Sequence, residues 1–379
     1  MKRAGPAAFL LAVAAAWNGG NVGAIVAPLA DEFSVSLGEV GLASGTFFFA
    51  GVFAAGLAGS ELARRLPIAG GLRIACVLGS AGNVVCALSP SFSVLAGGRV
   101  LAGLALGLVL LFGGAFARAA GGVRLLGVYG AGITLGVAVA LGLGGLLEDL
   151  GASWRLAFWI SAGLALVPLP LLPARVPSPA PRQEPDQGLF AEALGSLDFW
   201  RLELLTISTL TVPLVIGAWL VVYLVSGGDL GPAEAGILSF ALFALSALMR
   251  AVGGRLSESG VAPGRIALAA AVAGALGIAA LAAGDTLGWA LLAVALMGVG
   301  LSLPSAVVYD LGERVLPDRP IGGLGLLLVG ANAFPIPVIP LVGAAIAADN
   351  PEVAFLPLAA LVLVAGIANA RPAAGTRTA

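Results

Sequence analysis

Arginine inside an apolar stretch is the first chemical signal in this chain. Arg99 lies in LAGGRVLAGLALG and Arg250 in FALSALMRAVGG. An ionised side chain at bilayer depth costs at least ~2.5–3.5 kcal/mol unless it is paired, hydrated or functional. A planar guanidinium in such a place can hold an anion through two parallel hydrogen bonds. Arg250 is therefore a candidate substrate contact; its structural alternative is to reach toward the membrane surface and pair with Glu258 or a backbone carbonyl. Arg99 is a candidate for substrate contact or for gating.

Three asparagines extend this set of candidate substrate-binding residues. Asn18 and Asn21 stand three apart in WNGGN, roughly on one helical face, where the intervening glycines would let a solute approach the backbone. Asn332 directly precedes FPIPVIP, whose Pro335, Pro337 and Pro340 remove amide donors and must free carbonyls that line a cavity or are met by neighbours. The alternative for each Asn is a bond to a facing helix, worth ~0.6 kcal/mol on average. No Asp or Glu is expected at mid-depth: the nearest, Glu203 and Asp310, fall near the ends of their spans. In a chain that moves a solute, that pattern would favour a uniporter, an exchanger or coupling through the charge of the solute itself.

The chain has no His, which excludes imidazole metal sites and His proton relays, and it contains no GxxxxGK[ST] phosphate loop. Cys76 and Cys86 read as small buried hydrophobes. No metal site or cofactor is expected. An enzyme would need acids or nucleophiles clustered at one interface, and no basic patch suggests a nucleic-acid partner.

The elements that must position these residues are membrane helices. Mean hydropathy is +1.05, with 59% apolar and 10% charged residues, against roughly 25% charged in soluble proteins. Runs of about 20 apolar residues recur throughout, each able to cross a ~30 Å hydrocarbon core. They predict an all-α, polytopic membrane protein with twelve spans, near 7–30, 39–60, 70–89, 93–115, 124–147, 154–173, 202–225, 233–256, 265–283, 286–308, 322–347 and 353–370. The basic residues fit this count. Of the 19 Lys and Arg, Arg155 alone falls in an outer loop and Arg99 and Arg250 within spans. The rest, from Lys2 and Arg3 to Arg371 and Arg377, collect in alternate loops, which predicts both termini on the cytoplasmic side.

A Pro-rich, charged stretch at 174–200 predicts a cytoplasmic linker between a six-span bundle at 1–173 and another at 201–379. The halves are weakly similar. EVGLASGTFFFAGVF at 39–53 and EAGILSFALFALSAL at 234–248 align at a constant offset of 195 residues, as parallel repeats in transporters do. A binding site would then lie between the halves.

These residues resemble the major facilitator superfamily along essentially the whole chain. GGLLEDLGASWRLAFWI, with Trp154, Arg155 and Phe158, is similar to the family's segment joining spans five and six. Arg99, Gly103 and Gly107 resemble its Arg-bearing motif in span four. Gly127, Gly136, Gly144 and Gly145 have the spacing of the antiporter glycine motif, with Ala140 and Leu141 in place of its Gly-Pro. GLAGSELARR resembles GxxxDRxGRR after span two, with Gly56, Arg64 and Arg65 matched and Ser60 and Glu61 at the Asp and Arg places; RAVGGRLSESG, with Arg250, Gly253, Gly254, Leu256 and Glu258, stands in similar register after span eight.

The Arg-Gly-Gly arrangement at Arg250 is similar to nitrate/nitrite porters, although Ala55 stands where they carry a second arginine. The resemblance implies alternating access, a latch made by Glu61, Arg64 and Arg65, and helix sliding along the span-five glycines. The expected function is transport of a small anionic or neutral metabolite, with export of amphipathic compounds as the alternative. A monomer in a prokaryotic plasma membrane, with the lipid bilayer and a small solute as its partners, completes the expectation.

Overall fold

The computed structural model describes residues 4–176, 187–227, 230–284, 286–315 and 320–370. Lys2, Arg3, Arg182, Arg319, Arg371, Arg377 and linker residues 177–186 lie outside them. The described residues contain ten helices long and apolar enough to cross a membrane. These are Leu37–Leu57, Ile68–Ala87, Phe92–Gly122, Arg124–Asp149, Leu197–Ser226, Pro232–Glu258, Pro263–Ala283, Leu287–Gly312, Gly325–Ala347 and Pro351–Ala370. Span one, Ala4–Gly20 followed by Val26–Phe33, and the shorter apolar helix Arg155–Leu171 complete the twelve. Large hydrophobes such as Leu57, Val77, Leu276 and Val353 stay exposed on the outer surface, as a hydrocarbon solvent permits. Below, the face carrying the linker is the linker side and the opposite face the far side.

Spans four and five are separated only by Gly121 and Gly122. Gly122 has φ 64° and ψ −153°, a conformation that only glycine adopts without strain, and this lets the chain reverse within two residues.

Several spans are interrupted where the sequence removes a donor or crowds the backbone. Span one breaks after Gly20; a Cβ there would meet the Val137 carbonyl of span five at 2.8 Å, and one at Gly23 would meet the Gly217 carbonyl of span seven at 2.6 Å. Span seven widens to a π-helix at Ile207–Thr211, next to Pro213, which cannot donate to the Thr209 carbonyl. Span two has a π-helix at Leu42–Phe47. Span ten is interrupted between Gly300 and Ser305, around Pro304. Span eleven breaks between Ala331 and Pro335.

The proline reading of span eleven is refined by these positions. Pro335 opens the helix Pro335–Ala347, where its missing amide is no loss, and Pro340 lies inside it. Pro340 leaves the carbonyl of Ile336 without its helical donor, and the Thr46 hydroxyl of span two donates to it at 2.6 Å. That freed carbonyl is thus met by a neighbouring helix.

Candidate functional site

In the first half the predicted polar residues converge on one another. Arg99 donates to the Asn21 side chain at 3.1 Å and to the Asn18 carbonyl at 2.9 Å, with a longer bond of 3.4 Å to the Ala43 carbonyl. Its guanidinium also lies 4.3 Å from the centroid of the Phe48 ring. Asn21 donates to the Ser161 hydroxyl at 2.9 Å, and Asn83 to the Asn18 side-chain oxygen at 2.8 Å.

The reason for this knot is local. Asn18 is the last full turn before the break in span one, and Ala43 sits in the π-helix of span two, so both offer carbonyls that regular helix hydrogen bonding serves poorly. One guanidinium, with five donors and a fixed planar shape, meets both. Asn18, Asn21 and Arg99 are 3%, 1% and 1% exposed, so in this state all three are buried within the first half. Asn83 and Ser161 escaped the sequence reading. Asn83, a lone amide in an apolar span, was the available signal; Ser161 had none, because a serine can bond its own helix, as it also does here to Ala157.

The second half holds a contrasting group. Arg250 is half-buried, its Nε is enclosed, and it has no hydrogen bond or ion pair among the described residues. The pairing with Glu258 does not form; Glu258 ends span eight, exposed. Ser246, one turn before Arg250, and Ser302, in the interruption of span ten, carry buried hydroxyls without partners among the described residues. Spans eight and ten touch closely beside them, since a Cβ on Gly253 would fall 1.9 Å from the Leu303 carbonyl. Ser246, Arg250 and Gly253 recur at i, i+4 and i+7, so all three belong to the helix face turned to that interruption. Asn332 lies in the break of span eleven and donates to the Leu328 carbonyl at 2.6 Å.

Glu203 departs from expectation. It stands toward the linker side of span seven as anticipated, but it is only 4% exposed and its Oε2 has no partner among the described residues.

The halves are pressed together on the far side. A Cβ on Gly145 of span five would meet the Pro232 carbonyl at 2.3 Å and Gly236 at 2.9 Å. One on Gly41 of span two would meet Pro340 at 2.6 Å. The fully buried Trp219 of span seven fills the gap between Gly41 and Gly343 and donates to the Ile339 carbonyl at 2.8 Å.

The predicted glycine series therefore divides. Gly136 packs on Val13 and Gly144 on Ala24, both of span one, Gly145 packs on span eight, and Gly127 faces open space. On the linker side, Glu61 pairs with both Arg64 and Arg65 within the helix Gly59–Arg65. These predicted latch residues are joined to each other, and none is joined to the second half among the described residues.

Twelve apolar helices, several of them interrupted and the two halves sealed at one face, with a cation unpaired among the described residues inside one half, fit a membrane transporter. The Major Facilitator Superfamily family model matches residues 8–336, and the chain belongs to that family. No curated protein sequence matches it. Among solved structures it is similar to a bacterial homolog of the human lysosomal transporter Spinster in an inward-facing and occupied conformation (TM-score 0.73, 18% identity, 97% of this chain and 94% of that one). It is also similar to a point mutant of the nucleoside transporter NupG (0.77, 15%, 97% and 98%) and to a D-xylose-proton symporter (0.76, 14%, 96% and 96%). At these identities the likeness establishes the fold. The family signatures have visible structural roles: Arg155 pairs with Glu32 at 3.0 Å and covers the Trp154 ring, which packs against Phe33, so the end of span one is fastened to the start of span six.

Proposed function

We propose that this chain carries a small anion across the membrane by alternating access, with Arg250 as its charge-bearing contact. The observation behind this reading is the contrast between the two membrane arginines. Arg99 has its donors engaged by protein acceptors, whereas Arg250 has none of its donors engaged among the described residues. A guanidinium kept inside a membrane half without an acceptor is a standing cost that an anionic ligand relieves. The hydroxyls of Ser246 and Ser302 and the amide of Asn332 supply the neutral polar groups that would orient it.

In the cycle, the halves at 1–173 and 201–379 rock about this site, with the linker side facing the cytoplasm, as the basic residues favour. The far-side seam is the closed gate of the state described here. Opening requires the Gly145–Gly236 crossing and the Trp219 plug to part while the linker-side groups around Glu61, Arg64, Arg65 and Glu258 close. The chain works as a monomer, since each half supplies the other's sealing surface.

Thermal stabilisation of the purified protein tests the anion contact. A panel of inorganic and carboxylate anions, amino acids, sugars and lipophilic cations is compared on the wild type and Arg250→Ala. Because ligand at 100 times its Kd adds about 2.7 kcal/mol to stability, an anion that binds raises Tm clearly in the wild type. The shift disappears in the variant. Stabilisation by lipophilic cations alone, or an anion shift that survives in Arg250→Ala, overturns the reading and favours export of amphipathic compounds.

A further inference from the structure

Among the described residues, Glu203 is the one buried carboxyl, and the solute site leaves it unexplained. It lies in span seven, one turn before the π-helix Ile207–Thr211. Its Oε1 is pressed against span eleven so closely that a Cβ on Gly330 would fall 2.5 Å from it, and its Oε2 is enclosed without a partner. Gly330 immediately precedes the break of span eleven. Glu203 thus stands where two helices are about to become irregular.

Both helices lead from that point to the far-side gate. Beyond its π-helix, span seven carries Trp219; beyond its break, span eleven carries Ile339, Pro340 and Gly343, the groups against which Trp219 and Gly41 close. A change in separation at Glu203 and Gly330 is therefore passed through two flexible joints to the two helices that make the seal.

Several of the surrounding charges have partners of their own. On its own helix, Asp198 and Arg201 pair with each other at 2.9 Å, and Arg201 also donates to the Ala368 carbonyl of span twelve. Span ten carries Asp310, followed by Glu313 and Arg314, and the short helix Gln187–Gly195 carries Glu192. Span twelve has only Glu352, at its far-side end. Among the described residues, no ion pair or hydrogen bond reaches the Glu203 carboxyl. An enclosed carboxyl without a donor is tolerated as the neutral acid; as a carboxylate it demands water or a cation, which in this packing means moving span eleven away from span seven.

We propose that Glu203 is a proton-binding site linked to the far-side gate. With its proton, it fits the closed arrangement against Gly330. On releasing that proton to water it becomes a carboxylate that must be hydrated, spans seven and eleven separate at their root, and the seal at Trp219 loosens. Rebinding a proton restores the closed arrangement. The inference concerns the gate and holds whether or not the transported solute is an anion.

The test reads proton and gate separately in proteoliposomes. In a Cys76→Ala/Cys86→Ala background, Val342→Cys places a single thiol in span eleven at a position that is 5% exposed in the closed seal. Its alkylation rate, taken at each pH relative to that of the same thiol in the unfolded protein so that thiolate formation cancels, is followed between about pH 5 and pH 9. It is expected to rise with pH, by up to about tenfold per pH unit, the limit for one linked proton. Glu203→Gln holds the rate low and flat, and Glu203→Asp restores the dependence. Infrared difference spectra of the same preparations should show a protonated-carboxyl band that vanishes on alkalinisation and is absent from Glu203→Gln. A pH-dependent rate that persists in Glu203→Gln, or the lack of a Glu203-dependent infrared change, overturns the proposal. Arg250→Ala leaves both readouts intact, which separates failure of the gate from failure of the anion site.

Discussion

Replacing Arg99 by alanine is expected to destabilise the folded chain by about 3–5 kcal/mol, enough to remove much of it from the membrane as folded protein. The change strands three acceptors at once: the Asn21 side chain and the carbonyls of Asn18 and Ala43. Each buried acceptor left bare costs about 1–3 kcal/mol, and the contact with Phe48 is lost as well. Removing the charge returns part of this, because the guanidinium no longer has to be desolvated. Arg99→Lys retains the charge and the face of Phe48 but cannot fork to two helices, so a loss of roughly 1–2 kcal/mol is expected. Reversible unfolding in mixed micelles orders the three proteins. If Arg99→Ala unfolds like the wild type, Arg99 is not the fastener between the broken part of span one and the π-helix of span two. If Arg99→Ala is folded and stable but has lost anion binding, it belongs to the solute site after all.

The contrast between Arg99 and Arg250 shows what the sequence could and could not convey. Both residues are legible as costly membrane cations, because hydropathy alone places them in apolar runs. Their different use is not legible, because it depends on what three or four other helices bring to the same depth. Arg99 meets carbonyls whose availability arises from a break and a π-helix, and no pattern of residue types announces either. Asn18 and Asn21 likewise occupy one neighbourhood, as their spacing suggested, but that neighbourhood is the interior of the first half.

The twelve spans were readable from length, hydropathy and the alternation of Arg because the bilayer imposes one thickness on every element. Span six reads easily from hydropathy although its helix is short. Span one also reads easily, yet nothing in its residues locates the break between Gly20 and Val26 except the glycines that let spans five and seven press against it. Glu203 was visible as an acid near a helix end, and its enclosure was not, since that comes from Gly330 more than a hundred residues later.

Substituting Gly145 by valine is expected to hold the far side open. The glycine backbone lies against the backbone of span eight, so an added side chain meets the Pro232 carbonyl at 2.3 Å and the Cα of Gly236 at 2.9 Å. Neither can swing aside as a flexible side chain would. Overpacking of this kind costs typically 1–3 kcal/mol, and the halves can relieve it by rocking apart at this crossing. The closed arrangement is penalised and the open one is not, so the ratio of closed to open shifts by roughly 5- to 150-fold. The thiol of Val342→Cys should then be alkylated at close to the rate of an exposed thiol at every pH, and anion flux should fall because the cycle passes through the closed state less often.

Gly127→Ala is the matched comparison, drawn from the same glycine series but facing open space. It should close normally, transport normally and gain up to about 0.5–1 kcal/mol from improved helix propensity. If Gly145→Val closes as the wild type does, then the contact between spans five and eight is not a limiting surface of the gate. If Gly127→Ala impairs transport as severely as Gly145→Val, the spacing motif acts through a helix property common to all four glycines, and close approach between the halves is not its purpose.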